Sequence, residues 1–113
     1  KLPEGLHPFD ILSNLHPTPA MGGTPRPSAL TKLAEIENVP RGLYSGVAGW
    51  MDAKGRAEFI VPIRCGRIQQ SSLTLFAGAG IVEGSIPENE KSETDWKLQA
   101  MLEVITGSPN LPS

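Results

Sequence analysis

Glu90, Glu93 and Lys97 fall in "PENEKSETDWKL" (87–98), where four acids precede a lysine and an apolar tail. On an α-helix, which turns about 100° per residue, these three side chains lie within an arc of roughly 60°. Glu88 and Asp95 point elsewhere. Two carboxylates one turn apart offer hard oxygen ligands to a divalent cation such as Mg²⁺, which keeps several of its waters. An ammonium one turn further could hold an anion that the metal also touches. The same spacing makes an ordinary solvated face. Glu93 and Lys97 are an i,i+4 pair worth about 0.2–0.5 kcal/mol, and two acids are too few for a complete protein cage around a metal. Spacing alone leaves both readings open.

Other residues carry compatible chemistry. Arg64 ends an alternating strand pattern on the face of apolar Ile60, which predicts a half-buried guanidinium. Its fork matches a carboxylate at two points, although an edge-strand charge or a salt bridge would use the same residue. Gly78 and Gly80 in "AGAG" (77–80) let backbone N–H groups approach a ligand closely; a glycine bulge in a strand is the alternative. No Lys-Ser/Thr pair follows them, so neither nucleotide-binding glycine motif applies. Tyr44, just before Gly46, can present a hydroxyl or pack in a core. No Ser/His/Asp or Cys/His arrangement stands out, and His16, beside Pro17, reads as structural.

The elements that must hold these groups follow from pattern. "PFDILSNL" (8–15) makes two helical turns, and the prolines and glycines of "HPTPAMGGTPRP" (16–27) predict irregular chain. "SALTKLAEIENV" (28–39) predicts a helix with Ser28 as N-cap, ended by Pro40. "YSGVAGWM" (44–51) suits a strand and "DAKG" (52–55) a turn with Gly55 at positive φ. "AEFIVPIRC" (57–65) alternates as one strand, with an edge or bulge at Pro62. "LTLFAGAGIV" (73–82) is a third strand broken by glycines. Residues 87–106 make a final helix with Leu98, Met101, Leu102 and Ile105 as its core stripe and Pro87 near its start. The order predicts an α+β fold with three antiparallel strands in a meander. "TGSPNLPS" at the end reads as a frayed tail.

The whole chain of 113 residues has a formal net charge of −2, one cysteine and two histidines. That balance gives no electrostatic case for nucleic acid or an anionic membrane surface. Any anion site must be local. No run approaches the ~20 apolar residues of a membrane span. Cys65 has no partner for an intrachain disulfide, which fits a reducing, cytoplasmic setting.

Five segments in this order, "LHPTPAMGGTPR" (15–26), "RGLYSGVAGWMD" (41–52), "FIVPIRC" (59–65), "LFAGAGIVEGS" (75–85) and "ENEKSETDWKL" (88–98), resemble the C-terminal part of isochorismate synthases. These enzymes belong to the chorismate-utilising family, with anthranilate, aminodeoxychorismate and salicylate synthases. The resemblance covers nearly the whole chain. It implies that Glu90 and Glu93 contribute to a Mg²⁺ site, that Lys97 and Arg64 hold substrate carboxylates, and that Gly78 and Gly80 supply backbone contacts. It also implies that Tyr44 and Ala20 lie near the substrate. Chorismate carries two carboxylates, so cations at fixed points make sense in an acidic chain. The wording "HPTPA" followed by "GG" and "PR" is that of isochorismate synthases, and Ala20 stands where salicylate synthases tend to carry threonine.

By the same resemblance, the lysine base, the glutamate acid and a further metal glutamate of the family lie upstream of residue 1. No catalytic residue is therefore assigned within 1–113. The chain is expected to be the C-terminal part of one chorismate-binding catalytic domain, partnered by the rest of that enzyme and by chorismate or isochorismate. Alone it is expected to be inactive. Salicylate synthase, another chorismate enzyme, or a non-catalytic binding module are the competing readings. Whether the product feeds menaquinone, a siderophore or salicylate depends on later enzymes.

Overall fold

Proline sets where the helices begin. In the computed structural model, which describes residues 5–107, the first helix, α1, runs Pro8–Leu15 as expected. Its start is closed reciprocally: the Phe9 N–H donates to His7 Nδ1 at 3.2 Å, and the His7 N–H donates to the Asp10 carboxylate at 3.0 Å, a capping box built with histidine. The next stretch departs from expectation. A short helix α2 spans Pro19–Gly22, and α3 spans Arg26–Ile36. Both carry proline in the first turn, where the missing N–H costs no hydrogen bond. Pro25 occupies the N-cap expected for Ser28, whose hydroxyl donates back to the Pro25 carbonyl at 3.3 Å from inside the helix.

The chain forms two compact units, Lys1–Pro62 and Ile63–Ser113. In the first, Arg26 donates to the carbonyls of Asn14 and Ser13 at 3.2 and 3.3 Å, satisfying acceptors in the last turn of α1. Gly22 is buried, and a Cβ there would lie 3.1 Å from Pro17. Strands β1 (Ala48–Met51) and β2 (Ala57–Ile60) pair antiparallel with Trp50 opposite Glu58. Asp52 organises their turn by accepting from the Lys54 and Arg56 N–H groups at 2.9 Å, with Gly55 at φ 77° as expected. The Phe9 and Phe59 rings, 6.1 Å apart, bring α1 against β2. The strand expected from Tyr44 begins only at Ala48, because residues 41–46 turn: the Tyr44 and Gly46 N–H groups donate to the Arg41 and Leu43 carbonyls.

In the second unit, β3 (Cys65–Gln69) and β4 (Ser72–Phe76) form another antiparallel hairpin around a two-residue connection, with Gln70 at φ 54°. The helix α4 spans Pro87–Thr106, as the sequence predicts, and ends on Gly107 in the left-handed conformation. The expected three-stranded meander is thus two separate hairpins, β1–β2 and β3–β4. The single strand expected over 57–65 stops at Ile60. Pro62 has no N–H for a ladder, and Arg64 takes φ 47°, outside the extended conformation, before Cys65 opens β3. Strand β4 ends at Phe76, so "AGAG" lies beyond the strand rather than within it.

The α+β class holds. Among the described residues no large apolar side chain is fully buried, while Ile68, Trp96 and Val104 are well exposed. No described helix is long and apolar enough to cross a membrane. Most of the expected frayed tail, residues 108–113, and residues 1–4 of the irregular N-terminal stretch lie outside the described residues.

Candidate functional site

In the second unit, helix α4 delivers Lys97 to one wall of a groove whose other wall is the β3–β4 hairpin. The groove encloses about 580 Å³ and is lined by Gly66, Leu73 and Leu75 opposite Trp96, Ala100 and Met101, with Arg64 and Lys97 as its two cations. Lys97 is only 16% exposed, whereas Glu93 is 51% exposed. The Lys97 ammonium donates to the Gly78 carbonyl at 2.9 Å and pairs with the Glu93 carboxylate. An ammonium held by two acceptors still has a third N–H to offer. Two cations on a mostly apolar groove can bind an anionic group more strongly than the same charges in open solvent.

The helix face on the groove matches the expected stripe in part: Met101 and Ile105 line it together with Trp96, Lys97, Ala100 and Val104, whereas Leu98 and Leu102 do not. Lys97 stands on the groove wall. Arg64 was expected half-buried on the face of Ile60; it is exposed instead. Its positive φ takes it out of the strand alternation that placed it there. Gly78 contributes its carbonyl to Lys97, where the sequence had pointed to backbone N–H groups. Gly80 is exposed, and a Cβ there would meet nothing within 4 Å.

Glu90 is half-buried one turn before Glu93 on α4. Their carboxylates are the right donor type for Mg²⁺, which takes hard oxygens and retains waters. One oxygen of Glu93 faces Lys97, so its second oxygen is the one left for a cation. Among the described residues there is no group of three or more His, Cys, Asp or Glu that could hold a metal ion. The two glutamates fit a Mg²⁺ ion as part of its ligand set, with the remainder supplied by water and other groups.

The first unit holds Ala20 and Tyr44. Ala20 is exposed on α2, and Tyr44 is half-buried. Arg41, which sequence reasoning passed over, lies against both neighbourhoods. It donates to the Met21 carbonyl at 3.1 Å, and its guanidinium carbon is 5.8 Å from the centre of the Tyr44 ring. Glu37 and Arg41 are four residues apart, the spacing of a helix pair, but Pro40 between them hid that signal. Their contact holds the Glu37 carboxyl below the usual carboxylate range, chiefly through the hydrogen bond from Arg41, and raises Arg41 by the same hydrogen bond. His16 donates from Nε2 to the Ser45 carbonyl at 2.9 Å, in keeping with its structural reading.

A sequence profile of the family described as chorismate binding enzyme matches residues 1–106. The chain is 45% identical over 107 residues to isochorismate synthase MenF of Bacillus subtilis, covering 95% of this chain and 23% of that protein. It is 47% identical over 91 residues to isochorismate synthase EntC of Escherichia coli K12, covering 80% of this chain and 23% of that protein. A crystal structure described as a 2,3-dihydroxybenzoate-specific isochorismate synthase, DhbC, of Bacillus anthracis superposes with a TM-score of 0.83 at 42% identity, over 88% of this chain and 27% of that one. The chain thus spans about a quarter of the length of the relatives it matches.

Proposed function

The chain belongs to the family of chorismate-binding enzymes, and from that premise we propose that it supplies substrate-binding and metal-binding groups to a Mg²⁺-dependent isochorismate synthase. The observation that carries this reading is the placing of Lys97: largely buried, held by Gly78 and Glu93, on the same groove as Arg64. Isochorismate synthases are the relatives at 45–47% identity, and Ala20 agrees with an enzyme that stops at isochorismate.

In this reaction a water oxygen bonds to one end of the chorismate diene, the double bonds shift, and the 4-hydroxyl departs with a proton as water. A base must take a proton from the incoming water and an acid must give one to the leaving hydroxyl, on opposite sides of the ring. Neither group is assigned within this chain; both are proposed to lie in the rest of the enzyme. Arg64 and Lys97 orient the dianion by its carboxylates. Glu90 and Glu93 would hold Mg²⁺, which when bound would supply positive charge to offset the repulsion between an anionic substrate and the two glutamates. The domain to which residues 1–113 contribute is proposed to be a single cytoplasmic catalytic domain.

The deciding experiment incubates the full-length polypeptide that carries this segment with chorismate and Mg²⁺. Isochorismate without pyruvate is the expected product. Stoichiometric pyruvate would reassign the enzyme to salicylate synthesis, and unchanged chorismate would remove the proposal.

A further inference from the structure

Arg41 stands where three stretches of the first unit meet. Its Nε and Nη2 grip both carboxylate oxygens of Glu37 at 2.7 and 2.5 Å. Its Nη1 reaches the Met21 carbonyl on α2, next to Ala20, and its guanidinium carbon lies over the Tyr44 ring. A guanidinium held at two points on a carboxylate has a fixed plane. One of its Nη1 N–H groups is then aimed at α2, and its charge lies within cation–π range of the tyrosine ring. On the same turn, His16 fixes the Ser45 carbonyl while Ser45 takes φ 61°. The segment that presents Tyr44 is therefore tied at two places, and Arg41 is the tie that also reaches Ala20's helix. An ammonium could keep the charge but not the plane or the two-point grip.

We propose that Arg41 is a positioning residue that sets the distance between Ala20's turn of helix and the Tyr44 ring, and through it the fit of a cyclic dicarboxylate substrate. It does so without touching the substrate. The inference rests on the proposed function, because only that reading puts Ala20 and Tyr44 at the substrate.

The test uses the full-length enzyme with chorismate as probe, comparing Arg41→Lys, Tyr44→Leu and the double variant by KM and kcat. Arg41→Lys should raise KM about tenfold with kcat changed far less, because misplacement of binding groups by an ångström is costly. Combined with Tyr44→Leu, which removes the ring that Arg41 positions, it should add little, since residues acting through one another are non-additive. An unchanged KM, or effects that multiply in full, would overturn the role, as would a loss of thermal stability alone. If Arg41→Lys does not fold, Glu37→Gln takes its place; it weakens the grip and should raise KM less, and no rise would count against the role. Failure of the underlying reading looks different: the unaltered enzyme would not use chorismate at all.

Discussion

Glu93 and Glu88 differ by five residues and by face, and on the proposed function that difference separates a metal ligand from a helix-dipole charge. Glu93 pairs with the groove-wall lysine, while Glu88 sits exposed in the first turn of α4, where an acid favours the N-terminus by a few tenths of a kcal/mol. In the full-length enzyme Glu93→Ala should lower Mg²⁺-dependent turnover at least about a hundredfold, a usual scale for a lost metal-ligand support, and Glu88→Ala should change it little. Steady-state rates titrated against Mg²⁺ check this. Glu37 gives a prediction in pH. Its pKa is lowered in the folded chain, so the pair with Arg41 stabilises fully above the ordinary carboxylate pKa and loses that contribution as pH falls through the lowered value. Glu37→Gln should therefore cost up to about 1 kcal/mol at pH 7, modest because the pair is partly exposed. The cost should fade below about pH 4, as melting temperatures across that range would show.

At the scale of elements, α1 and α4 were legible to the residue because apolar period, proline at the start and acids in the first turn all agree. The stretch 16–27 was not. The pattern of prolines there predicts breaks, whereas Pro19 and Pro27 act as starters, and only the surrounding chain distinguishes the two. The strand over 57–65 misled for another reason: its alternation is continuous in sequence, but Pro62 and the positive φ of Arg64 divide it. Glu93 and Lys97 were legible as a pair, while Arg41 was hidden by Pro40. Hairpin β1–β2 also carries a steric constraint that no pattern shows. A Cβ on Gly49 would lie 2.2 Å from the Glu58 carbonyl oxygen. Gly49→Ala should destabilise the full-length protein by about 1–3 kcal/mol through overpacking, measured by denaturant unfolding. Gly55→Ala, with open space around it, should cost only the roughly 1 kcal/mol of its left-handed backbone.

For the whole molecule, the exposed apolar residues set the expectation. With no large apolar side chain fully buried among the described residues, the 113-residue chain by itself should bind a dye such as ANS, as loosely packed states do. It should also form no isochorismate. Tight, dye-free folding with turnover would contradict both the fluorescence and the assay expectations. Arg64 sets durability against use in the same molecule. At φ 47° it holds a backbone that glycine adopts freely and arginine at a cost of about 1–2 kcal/mol. Arg64→Gly should keep or raise the melting temperature of the full-length enzyme while abolishing chorismate binding. Directed evolution rewarded only by survival of heating would thus erode this position, and selection on growth that needs the product would restore it.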